Sequence, residues 1–172
     1  MLADENRSKT DKRPPRILEL ARTGNLTPGR TRYSWVVSDK LNAAIELHDS
    51  VLAEISCLET TVEIVLRPAY VHQSVGQPGV DDGIGLVQNV VISIEEGSVI
   101  GDVGEIPSSI FDGEFEVGQQ AFPNMIALPC DVAGPVTLTL FLSPDNRKLV
   151  IRGKRITIRL DGQASYVEEF RR

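Results

Sequence analysis

The stretch LHDSVLAEISCLETTVEIVLRPAYVHQS, residues 47–74, decides the fold. Two runs in it alternate with a period of two. Val51, Ala53, Ile55 and Cys57 fall on one face of an extended chain, and Val62, Ile64 and Leu66 on one face of the next. Between them Leu58-Glu59-Thr60-Thr61 is short and polar enough to turn. The pair therefore reads as an antiparallel hairpin, strand 47–57 followed by strand 61–71. Pairing Cys57 with Val62 keeps both apolar sets on the core side. Extended, that register sets Val51 opposite Pro68 and Asp49 opposite Tyr70. It also brings His72 to the same face and sends His48 and Ser50 to the other. One bulge would reverse these faces, and Pro68, which lacks a ladder donor, marks where one would sit. Upstream the signal is mixed. Leu41, Ile45, His48, Leu52 and Ile55 also fit a helix stripe, so residues 41–46 read as helical or irregular.

Outward from this hairpin the chain keeps the same period. Strands are expected at 33–37, 86–94, Ser98–Ile100, 114–117, Met125–Leu128, 136–142 and 165–170. Residues 73–85 form a long Gly/Pro loop, and residues 101–112 read as loop. A turn at 143–146 leads into a second hairpin, 147–152 and 155–160, folded about Gly153-Lys154. In it Leu149, Ile151, Ile156, Ile158 and Leu160 point inward, and Lys148, Arg152, Arg155 and Arg159 outward. The sum is nine or ten short strands and little helix. That predicts a mainly β domain, an antiparallel sandwich or barrel. It spans residues 33–172, preceded by a polar tail and connector over 1–32.

Charge is unevenly spread over the 172 residues, whose net charge is −6. Residues 68–146 hold no Lys or Arg against eleven acids, whereas residues 147–172 hold eight Lys/Arg against three acids. Such segregation serves either an intramolecular pairing of basic strands with acidic ones, or an acidic surface for a basic protein partner. An acidic chain whose basic strip at 147–160 lacks interleaved aromatics argues against nucleic-acid binding. No apolar run approaches the ~18 residues of a membrane span. The charged N-terminus does not read as a signal peptide, so a cytoplasmic location is expected. Cys57 and Cys130 lack metal-ligand spacing and are expected as buried thiols. No metal and no cofactor are expected.

The candidate site follows from the hairpin register. Asp49, Tyr70 and His72 would cluster at its open end, with Ser74 and Asp81 in the chain that follows. A carboxylate beside an imidazole fixes its tautomer, which is how a general base is built. The simpler reading is structural, with Asp49 accepting hydrogen bonds that close the end of the core and anchor the loop. His48-Asp49-Ser50 cannot act as a triad by adjacency, since strand neighbours point apart. Residues 83–85, Gly-Ile-Gly, lead into a strand rather than a helix and make no phosphate loop.

E-L-H-D-S at 46–50, P-A-Y-V-H-Q-S at 68–74, G-x-P-G-x-D at 76–81 and Y-V-E-E-F at 166–170 together resemble a family of bacterial β-rich domains without an established activity. The H-D-S-x-L opening is also similar to small families suspected of being immunity proteins in toxin systems. The resemblance implies a β fold and no catalytic residue. Two functions are weighed. One is a non-enzymatic protein-binding domain, with an immunity-type module as one form of it, that offers its acidic surface to a basic partner. The other is a small-molecule-binding domain or enzyme using Asp49, Tyr70 and His72. A homo-oligomer joined through an apolar sheet face is a third arrangement.

Overall fold

In a computed structural model, residues 41–171 are described. The expected tail, residues 1–32, and the strand expected at 33–37 lie outside them. The described residues form ten strands and no helix. They are β1 (Asn42–Glu46), β2 (Val51–Leu58), β3 (Thr61–Ser74), β4 (Gly83–Glu95), β5 (Ser98–Ile100), β6 (Ser108–Val117), β7 (Gln120–Pro123), β8 (Met125–Leu128), β9 (Asp131–Leu142) and β10 (Arg147–Phe170). All pairings are antiparallel. The mainly β, antiparallel expectation holds.

The hydrogen-bonded order is β2-β6-β9-β10-β4-β3-β1-β8, and β2 also pairs with β3. The path β2-β6-β9-β10-β4-β3 thus returns to β2. Closure rests on two β2–β6 rungs, Val51 with Ser109 and Leu52 with Ser108, so the circuit is ring-like without being a regular barrel.

The core is made by alternation, as strand geometry requires. Val62, Ile64 and Leu66 of β3 face Ile94, Ile92 and Val90 of β4. Ile156 of β10 lies opposite Ile94, and Leu149 and Ile151 opposite Leu140 and Leu138 of β9. Phe115 of β6 sits opposite Leu138 and is fully buried. On the outer side of β10, Arg155 pairs with Asp131 at 2.9 Å and with Glu95 at 3.7 Å, and Lys154 with Glu96. Basic and acidic segments separated in sequence therefore do meet in space.

Four expectations need correcting. Residues 42–46 form a strand, because β3 supplies a ladder that overrides the mixed local pattern. The second hairpin does not exist: 147–170 is one strand, with a register shift between Gly153 and Arg155 instead of a turn. Residues 108–112 belong to β6 rather than to a loop. Cys57 is exposed, although Cys130 is buried, and no disulfide links them.

Cys57 is exposed because the last three residues of β2, 56–58, lie outside the core even though β3 is buried beside them at Val62. Its register partner is Val62, as expected. The inward set of β2 is then altered by a bulge between Leu52 and Glu54. Leu52 becomes fully buried and takes the place expected for Val51 and Ala53.

Candidate functional site

The bulge redraws the open end of the hairpin. Beyond Leu52 the chain leaves β3 altogether. Residues 47–50 make a corner, with Asp49 at φ 67°, and it is β1 that runs beside the end of β3. Glu46, not Asp49, lies opposite Tyr70, and Ala44 lies opposite His72. Asp49 faces solvent and pairs with His48 at 3.1 Å.

A second irregularity lies in β3 itself. Its register with β4 shifts between Leu66 and Ala69, across Pro68. Before the shift the core takes even-numbered residues, and after it Ala69 and Val71. Tyr70, His72 and Ser74 consequently share the opposite face of the sheet. That face is covered too. Loop 75–82 folds over it, held by Asn42, whose side-chain amide donates to Gly76 O at 2.8 Å. Asp81 shapes the loop by accepting from Gln77 N, and its own N–H donates back to Gln77 O at 2.9 Å.

Two glycines let β10 reach this face. Gly85 of β4 pairs with His72 on one side and Glu168 on the other, and Gly83 with Ser74 and Phe170. With no side chain in between, Tyr70 lies across Gly85 and donates to Glu168 Oε1 at 2.6 Å. A Cβ on Gly85 would stand 1.9 Å from the Tyr70 hydroxyl. The His72 ring is held edge-on between Tyr70 and Phe170, with centroids 5.0 and 5.1 Å away.

His72 is 8% exposed and its Nε2 meets Glu46 Oε2. Its Nδ1 is buried without a hydrogen-bond partner, as are Ser74 Oγ and Asn124 Oδ1. The contact with Glu46 is thus the ring's one side-chain hydrogen bond, with Nε2–H donating and the carboxylate accepting. Neither nitrogen is then available to a substrate proton, and a general base needs that access. Glu46 and His72 do border a recess of about 180 Å³, with Asn124 on the same wall and Pro78, Gly79, Val80 and Met125 opposite. Small-molecule sites run to roughly 300–1,000 Å³, so this one suits a group the size of a side chain. Among the described residues no three His, Cys, Asp or Glu side chains are placed to hold a metal ion.

The field at this end is negative. Burial, the hydrogen bond to Glu168, and the charges of Glu168, Glu46 and Asp49 all push the Tyr70 phenol above its ordinary value. A folded-state shift upward means the native state keeps a proton that the unfolded chain releases. Stability from this source is complete below the usual tyrosine pKa of about 10 and is lost as pH rises beyond it. Urea denaturation across pH 9–11.5 should therefore show stability falling in the native sequence, with a shallower fall in Tyr70→Phe. Parallel profiles would mean that Tyr70 titrates normally.

Of the five candidate residues, the structure brings Tyr70, His72 and Ser74 onto one face. It puts Asp81 into the covering loop and leaves Asp49 at the corner. Glu46, Ser50, Asn124 and Glu168 were missed. Ser50, fully buried, accepts from Tyr70 N at 3.0 Å and donates to Glu46 O at 2.6 Å. No family model, curated protein or solved structure matches this chain. The family resemblance therefore adds no residue role.

Proposed function

We propose that the described domain is a binding module for a basic polypeptide, engaged at the end that carries Glu46, Asp49 and Glu168. The observation that carries this reading is the charge around Tyr70. Three carboxylates converge on its field, and residues 41–171 hold nineteen Asp/Glu against eight Lys/Arg. Most of those cations are already engaged elsewhere, Arg67 with Glu54 and Lys154 and Arg155 with Glu96, Glu95 and Asp131. An excess of one sign that survives internal pairing raises the encounter rate with the opposite sign. The small recess and the enclosed imidazole give the enzyme reading less support.

The test uses fluorescence anisotropy with a labelled deca-lysine peptide and two double charge reversals of equal size. Asp49→Lys/Glu168→Lys alters the Tyr70 end. Glu59→Lys/Glu63→Lys alters the far end of β3. The expected result is binding that weakens with salt, and at least a tenfold greater loss for the first pair. Equal losses for both pairs, or no binding at low salt, would overturn the reading.

A further inference from the structure

We infer that the recess beside Glu46 takes a primary ammonium on an aliphatic stem, the chemistry of a lysine side chain. The argument starts from what the walls leave unpaired. One wall is polar. Among the described residues Glu46 is the one acid lining it, with its side chain 27% exposed, and no Lys or Arg lines it. Among the described residues the Glu46 carboxylate meets one side chain, His72 through Nε2, and no Lys or Arg reaches it. Behind it stand two buried polar atoms without hydrogen-bond partners, His72 Nδ1 and Asn124 Oδ1. His72 is more than nine-tenths buried, so this side of the recess is fixed rather than solvated. The other wall is apolar, made by Pro78, Val80 and Met125.

Three classes of occupant can be compared. An anion would meet a carboxylate that no Lys or Arg offsets, in an already negative field. A purely apolar group would remove that carboxylate from water and add no donor to the one His72 supplies. An alkylammonium satisfies both walls: its N–H donors suit the part-exposed Glu46 carboxylate, and its methylenes suit Pro78, Val80 and Met125. At about 180 Å³ the recess holds one such group and little else.

As a subsite for a partner's lysine this rests on the reading above, but the recess can be tested separately. The full chain would be titrated with n-butylammonium chloride and with Nα-acetyl-lysine amide, with sodium butyrate and n-butanol as controls. Backbone amide NMR shifts at Gly79, Val80 and Met125 report occupancy. Both amines are expected to give saturable shifts, and neither control should. Glu46→Gln keeps an acceptor for His72 Nε2 and should weaken amine binding at least tenfold with an unchanged circular dichroism spectrum. Met125→Trp fills the recess from its apolar wall, leaves Glu46 in place, and should also abolish saturation. Saturation by n-butylammonium alone would assign the site to free amines and overturn the lysine subsite. Shifts that stay linear with amine, or equal affinity in the native sequence and Glu46→Gln, would overturn the inference. If deca-lysine still binds with the expected charge dependence in that case, the recess fails and the binding end stands. Saturable amine binding without deca-lysine binding gives the converse.

Discussion

Gly153→Val is expected to lower stability by about 3 kcal/mol, toward the upper end of overpacking costs, measured as a shift in the urea midpoint at constant slope. Valine is a favourable strand residue, and on an open strand the change would be neutral or helpful. Here the backbone of β4 passes directly over the glycine. A Cβ would stand 2.3 Å from Ile94 Cγ2 and 2.6 Å from the Glu95 carbonyl oxygen. The second contact is with backbone, which cannot rotate away. At this point β10 exchanges neighbours. Residues 150–152 pair with β5, and from Arg155 on the strand pairs with β4. Displacing Glu95 would disturb both ladders and the β4–β5 turn. A stability change within about 0.5 kcal/mol, typical of an unconstrained surface site, would mean that the close approach relaxes freely.

That glycine also explains why the sequence suggests a hairpin over residues 147–160 where the structure has one strand. Gly-Lys between two alternating runs has turn chemistry, and nothing local distinguishes a turn glycine from one that makes room for another strand. The difference lies in Ile94 and Glu95, some sixty positions away in the chain. The first hairpin was legible because its information is local. Glu59 and Thr60 turn the chain, Cys57 meets Val62, and the inward set Val62, Ile64 and Leu66 follows from alternation. The same local reading was then extended too far. A bulge at Ala53 and the shift across Pro68 each reverse a face. Pro68 signals the second of these in the sequence. Nothing in Val51-Leu52-Ala53-Glu54 signals the first, since the bulge forms where β2 leaves β3 to meet β6. Tyr70 and His72 stayed together because they are two residues apart on one strand, whatever the register. Their carboxylate partners could not be read, because Glu46 arrives on β1 and Glu168 from a strand end nearly a hundred residues later. Gly83 and Gly85 were a usable signal. Two glycines spaced by two in a strand clear one face for side chains from both neighbours.

Ser50→Ala is expected to cost about 2 kcal/mol, within the range for orphaning buried polar groups, although serine and alanine differ by one atom. Ser50 is fully buried at the corner where β1 gives way to β2. Its hydroxyl accepts from Tyr70 N at 3.0 Å and donates to Glu46 O at 2.6 Å, so one side chain ties the end of β1 to the middle of β3. Its backbone carbonyl accepts from Ile110 N at 2.9 Å, which brings β6 to the same point. Without the hydroxyl, the part-buried Tyr70 N–H loses its acceptor. His48→Ala is the informative comparison. His48 adjoins Ser50 in the H-D-S string, but its side chain is 44% exposed and its contact is with Asp49 at the surface. Its loss should stay within about 0.5 kcal/mol. A string that invites reading as catalytic would then divide into a surface pair and a buried clamp. The clamp also positions Glu46, so Ser50→Ala should weaken n-butylammonium binding even under conditions where the domain remains fully folded. Equal small losses for the two substitutions, with amine binding unchanged, would show that the corner is held by its backbone alone.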